Sequence, residues 1–184
     1  MDRIIIKSLS QSGFSLLETL VAVSILGLLL TGSAALVQQA LKVSSKLKND
    51  TTALYLAQEG LVLVRYQRDT NRLSDPDPDE WMDGIAGGSN CGSGNGCTAD
   101  VNPLTGVLTL NNNCGGGCPV LKFHAPTKTY NYHPAGVDTD YRRTIWVNNI
   151  PGPEPEVRVR VMVQWATVFG SRSYTVEENL LNWQ

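Results

Sequence analysis

Apolar residues crowd the stretch 13–37, GFSLLETLVAVSILGLLLTGSAALV, with a single acid, Glu18, set near its start. Between positions 20 and 30 no residue is charged. With its flanks the run reaches roughly 24 residues, and a helix of that length spans about 36 Å against a bilayer hydrocarbon core of about 30 Å. Beyond position 37 the apolar density falls, yet a helical period continues through Leu41, Leu47, Leu54, Leu61 and Val64, with Ala40, Val43, Ala57 and Val62 filling in at spacings of three and four. Lys42, Lys46, Lys48, Asp50, Gln58 and Glu59 occupy the faces between them, which is the pattern of an amphipathic helix. No proline precedes Pro76, so the two halves predict one helix from about 14 to about 68. Gly27, Gly32 and Gly60 would each weaken it by about 1 kcal/mol relative to alanine if solvent-exposed. In the apolar half, Gly27 and Gly32 are alternatively points where a second helix approaches closely.

From position 69 the texture changes. Proline alternates with acid in 75–80, which ends the helix and predicts an exposed connector, and 86–96 is Gly, Ser and Asn held between cysteines. Short strand-like pieces follow at 106–110, 120–123 and 144–148. The clearest strand is 156–169, where Val157, Val159, Val161, Val163 and Trp165 fall on one face and Arg158, Arg160 and Gln164 on the other. A turn at 170–172 leads into a last strand at 173–183, and 150–155 links the two before it, so the C-terminal part reads as a three-stranded antiparallel meander. Its apolar face needs a cover, and the amphipathic half of the long helix is the long element at hand. The predicted fold class is therefore α+β: a long N-terminal helix packed by its second half on a C-terminal antiparallel sheet. The expected organisation is a leader at 1–13, an apolar half-helix at 14–37, an amphipathic half-helix at 38–68 and a β-rich domain at 69–184.

At 184 residues the chain has room for one domain plus an appendage. A net charge of -2 with scattered Lys and Arg offers no basic patch for phosphates, so nucleic acid is not indicated as a partner. The leader carries Arg3 and Lys7 against Asp2, an excess expected to stay in the cytoplasm and leave the bulk of the chain outside. All four cysteines, Cys91, Cys97, Cys114 and Cys118, then lie in the exported part, where an even number favours disulfides of open connectivity. A zinc site from Cys114, Cys118 and His124 or His133, or from all four thiols, is the sharper alternative, although the C-x5-C spacing of the other pair is unusual. The acids of 75–80 are oxygen ligands that calcium accepts, but their prolines oppose a compact wrap and favour a solvated linker. His124 and His133 sit among prolines and tyrosines and read as exposed loop residues, with no nucleophile motif beside them. No catalytic constellation, metal or cofactor is expected.

The string Gly13-Phe14-Ser15-Leu16-Leu17-Glu18-Thr19-Leu20, after a short basic leader and before an apolar helix, resembles the cleavage and methylation site of type IV prepilins and type II secretion pseudopilins. Ala57-Gln58-Glu59-Gly60-Leu61 with Val64-Arg65, ahead of a Cys-containing, strand-rich domain, is similar to the minor members of that family. The resemblance implies that a prepilin peptidase cuts after Gly13 and that Phe14 becomes the new N-terminus and is methylated. It also implies that Glu18 pairs with the terminal amine of a neighbouring subunit, setting register in a filament. The implied partners are other pilin or pseudopilin subunits, the peptidase, an inner-membrane assembly platform and the membrane itself. A lone carboxylate in hydrocarbon costs roughly 2.5–3.5 kcal/mol, so Glu18 is expected to find a partner on physical grounds too. Two plainer readings also fit the apolar run: a signal anchor with Glu18 among headgroups, and a secretory signal cut near Gly32-Ser33-Ala34-Ala35. A rival from another class is a membrane-anchored extracytoplasmic binding protein with no filament role.

Overall fold

The computed structural model describes residues 13, 15–74, 81–86, 91–92, 94–111, 114–152, 155–167 and 170–182. The leader, Phe14 and the acidic connector at 75–80 lie outside the described residues. The chain divides into two compact units, Met1–Leu47 and Lys48–Gln184.

Helix α1 runs Leu16–Ser74. It passes the expected end near 68 because nothing before Pro76 forbids helical geometry. Its last turns are also held from the side: the Asn71 amide accepts from Gln67 Nε2 at 2.9 Å and donates to the carbonyls of Trp81 and Asp83 at 3.3 and 3.0 Å.

Among the described residues of the second unit seven strands follow: β1 Thr98–Val101, β2 Leu108–Asn111, β3 Val120–His124, β4 Thr129–Asn131, β5 Val137–Ile150, β6 Glu156–Thr167 and β7 Gly170–Leu181. β1 and β2 make a two-stranded ribbon, and the others make an antiparallel sheet in the order β4-β3-β5-β6-β7. The meander β5-β6-β7 was expected from sequence. β1, β4 and the first half of β5 were not. The predicted turn at 170–172 is instead the start of β7, with Gly170 paired to Thr167.

One face of the sheet meets the helix. Val157, Val159, Val161, Val163 and Trp165 of β6 are buried, and register sets Val147, Ile145 and Arg143 of β5 beside the middle three. Against them α1 presents Ala53, Leu56, Ala57, Gly60, Leu63 and Val64. The expected α+β arrangement, with the second half of the helix covering an antiparallel sheet, is the observed one. Gly60 lies where helix and sheet come closest. A Cβ there would stand 2.8 Å from a Val161 methyl and 3.1 Å from Arg143 Cδ, so the residue that reads as a weak spot in a helix is instead what admits the sheet.

Candidate functional site

The N-terminal unit carries the sequence motif. Gly13 and Ser15 are exposed ahead of α1, and Glu18 is exposed in its first turn, where a carboxylate complements the positive end of the helix dipole. Phe14, the expected methylated terminus, is outside the described residues. Leu16, Leu17, Leu20, Val23, Leu28 and Leu30 are all more than 60% exposed, and none of the most apolar 18-residue window of the helix is buried. This helix is long and apolar enough to cross a membrane. Its few hydroxyls are turned inward on the backbone: Ser24 donates to the Leu20 carbonyl at 2.8 Å, Thr31 to that of Gly27 at 3.0 Å and Ser33 to that of Leu30 at 3.0 Å. These polar groups therefore present no unpaired donor to an apolar surrounding. Gly27 and Gly32 have open space beside them.

The second unit is organised around a charge that sequence reasoning missed. Arg143 is 1% exposed. Its guanidinium donates to the Leu56 carbonyl at 3.2 Å, to Glu59 Oε2 at 2.8 Å and to the Ala99 carbonyl at 2.8 Å, tying α1, β5 and β1 together. Glu59 and Gly60, adjacent in the string that resembles minor pilins, thus act at one place: Glu59 supplies the counter-charge and Gly60 the clearance. Beside this pair, Asp100 Oδ2 accepts the Tyr132 amide at 3.2 Å. Burial raises the Asp100 carboxyl above its ordinary pKa, a rise opposed by that amide and by Arg143. Burial likewise pushes the Tyr132 hydroxyl up to about 12. A second tie between helix and sheet joins Arg65 to Glu178 on β7.

The cysteines form two local disulfides, Cys91–Cys97 and Cys114–Cys118. In this pairing all four thiols are engaged, the disulfide reading rather than the zinc one. The first closed loop does the work of a strand. β3 pairs with β5 only over 137–142, and past that point Ile145 exchanges backbone hydrogen bonds with Cys97 at 2.8 and 3.0 Å while the Val147 amide donates to the Cys91 carbonyl at 3.0 Å. Gly96, at φ +72, lets the loop approach: a Cβ there would sit 2.8 Å from the Ile145 carbonyl oxygen. The second loop lies on neighbouring residues of β5, with Arg142 donating to the Cys118 carbonyl at 2.5 Å and Thr144 to Cys118 Sγ at 3.0 Å. Replacing Cys91 and Cys97 together by serine is expected to cost about 2–4 kcal/mol. The amides of Ile145 and Val147 should then exchange with deuterium faster than that of Val159 on the central strand. The same substitution at Cys114 and Cys118, which closes a smaller loop, should cost less; urea unfolding and amide exchange read both, and equal losses would remove the strand-like role of the first loop.

His124 is not the exposed loop residue expected. It ends β3, is 7% exposed, and its Nδ1 shares a hydrogen with Thr127 Oγ1 at 2.8 Å, because the residues after it turn straight back into β4 and cover it. His133 lies edge-on to it, ring centres 5.9 Å apart. Among the described residues no group of three or more His, Cys, Asp or Glu is placed to hold a metal.

The prokaryotic N-terminal methylation motif matches residues 9–34. The match takes in Gly13, Glu18 and most of the apolar run, and it points to a type IV prepilin-like or pseudopilin structural subunit; among the described residues one helix is long and apolar enough to anchor it in a membrane. Among curated proteins and among solved structures, nothing matches the chain.

Proposed function

We propose that this chain is a minor pilin or pseudopilin, made with a leader that is removed after Gly13, methylated at Phe14, and assembled through its N-terminal helix into a type IV pilus or a type II secretion-like filament. The observation that carries the proposal is the methylation motif at 9–34 joined to a helix whose most apolar stretch is left uncovered. Surface of that kind does not face water; it rests in lipid or against other such helices. In the membrane the leader's Arg3 and Lys7 hold the N-terminus in the cytoplasm, so the β domain and its two disulfides lie outside. Glu18, alone among apolar neighbours, takes the terminal amine of an adjacent subunit and fixes register. The β domain is carried on the filament surface, and no catalytic role is assigned to it.

N-terminal sequencing of the membrane-bound protein tests the processing step. In cells carrying a prepilin peptidase the mature chain should begin at Phe14, and in cells lacking it at Met1. A leader that persists in the presence of the peptidase would sink the proposal.

A further inference from the structure

Beyond α1 the chain makes a tight turn whose flanks are buried and whose tip is exposed. Trp81, Met82 and Ile85 are buried, and the amides of Ile85 and Ala86 both donate to the Met82 carbonyl at 3.1 Å. Between these anchors Asp83 is exposed and Gly84 takes φ +71, the left-handed geometry that glycine tolerates. The Asp83 carboxylate folds back on its own main chain, with Oδ1 accepting the Gly84 amide at 2.8 Å. That contact sets the side-chain carbon Cγ beside the next residue's nitrogen, and these two atoms are the ones that bond when an aspartyl-glycyl step closes to a succinimide. Asn71 adds a donor from the helix, its Nδ2 reaching the Asp83 carbonyl oxygen at 3.0 Å. A hydrogen bond there draws electron density out of the peptide group. It eases loss of the Gly84 amide proton and stabilises negative charge on that oxygen when water adds to its carbon. Room matters as well: nothing stands within 4 Å of where a Cβ on Gly84 would be, whereas Gly96 of Asn95-Gly96, the other such step in the chain, is wedged against Thr144, Ile145 and Trp146.

We infer that Asp83-Gly84 is a self-modifying step that converts to isoaspartate with the help of Asn71. The Gly84 nitrogen gives up its proton and bonds to Cγ of the protonated carboxyl, whose hydroxyl leaves as water, and a five-membered ring closes. Water then adds at the main-chain carbonyl carbon of Asp83 and breaks its bond to the Gly84 nitrogen. The chain now runs through Cβ and Cγ, and the former carbonyl is a free carboxylate on Cα. One water leaves and one enters, so mass and net charge are unchanged and no co-reactant is consumed. The main chain gains one atom between Met82 and Ile85, in the turn that Asn71 ties to the end of α1. Asn71 then faces a carboxylate, a stronger acceptor than the carbonyl it replaces, which favours the product. All of these atoms lie within Lys48–Gln184, so the inference is independent of the anchor and of the filament reading.

The test incubates the purified full-length chain in detergent at near-neutral pH and body temperature for several weeks. Digested peptides are read by electron-transfer fragmentation, which distinguishes isoaspartate from aspartate, and by methyl transfer from S-adenosylmethionine with an isoaspartyl carboxyl methyltransferase. Isoaspartate is expected to accumulate at position 83. Asn71→Asp keeps the shape and the acceptor for Gln67 but has no donor, and it should form isoaspartate about fivefold more slowly, the factor that one hydrogen bond supplies. If Asn71 served only to hold the turn, the same substitution would loosen it and speed the conversion, so the direction of change separates the two roles. Asp83→Glu, an exposed change that leaves Asn71 in place, should end the conversion, because closure of a six-membered ring is far slower. No isoaspartate at position 83, an equal or faster rate with Asn71→Asp, or a methyl label that persists in Asp83→Glu would overturn the inference.

Discussion

Replacing Arg143 by alanine is expected to lower the unfolding free energy of the β-rich unit by about 3–5 kcal/mol. Arg143 satisfies the carbonyls of Leu56 and Ala99, and without it at least Ala99 is left buried and unpaired, at about 1–3 kcal/mol for such a group. The shortened side chain also leaves a void between Gly60 and the sheet, which collapses only in part. Glu59→Gln should cost much less, because the Glu59 side chain is 42% exposed and its amide replacement keeps an acceptor near Arg143. Arg143→Lys is not a mild change here, since a single ammonium does not span three acceptors spread over α1 and β1. Urea unfolding of the full-length protein in detergent, followed by tryptophan fluorescence, ranks the three. A loss below about 1 kcal/mol for Arg143→Ala would mean that the buried contacts are replaced by water and that the helix and sheet do not depend on them.

The second large effect is expected at Glu18. With alanine there, the protein should still be inserted, since the substitution removes a cost of roughly 2.5–3.5 kcal/mol for a carboxylate in hydrocarbon. Cleavage after Gly13 should also continue. Recovery of the protein in sheared filaments should fall tenfold or more, the change that about 1.4 kcal/mol of lost pairing produces at each addition step. Glu18→Gln, which keeps the shape and loses the charge, should fall nearly as far if the partner is an ammonium. Unchanged recovery in filaments would remove Glu18 from assembly. Absence of the wild-type protein from filaments, with a normal amount in the membrane, would favour the membrane-anchored binding protein instead.

Periodicity made part of this molecule readable. Alternation in β6 is strict because both of its neighbours are long strands and one of its faces is wholly buried, so each residue's side is dictated twice. The helix is readable for the opposite reason: its first half has no inside at all, and composition alone declares it. What escaped lies where burial is decided far along the chain. Residues 137–143, VDTDYRR, look like loop, yet they are strand because β3 pairs with 137–142 and β6 takes over from Tyr141 onward. Arg143 looks like surface, and its partners at positions 56, 59 and 99 are separated from it by 44 residues or more. β1 and β4, at four and three residues, are too short to show any period. At the candidate site, Gly13 and Glu18 were singled out by a resemblance, and the methylation motif matched at 9–34 spans both. The pairing of each cysteine with its nearer neighbour was not legible, because glycine-rich segments allow every connectivity.

The inward-turned hydroxyls of Ser24, Thr31 and Ser33 bear on the traffic of the apolar helix between surroundings. A segment that keeps its polar bookkeeping internal has nothing to renegotiate when acyl chains are exchanged for side chains, in either direction. In the proposed filament, entry and return to the bilayer would then be close to balanced along this stretch, and the sense of travel would be set at its two ends, by Glu18 and by whatever pushes or pulls the folded domain.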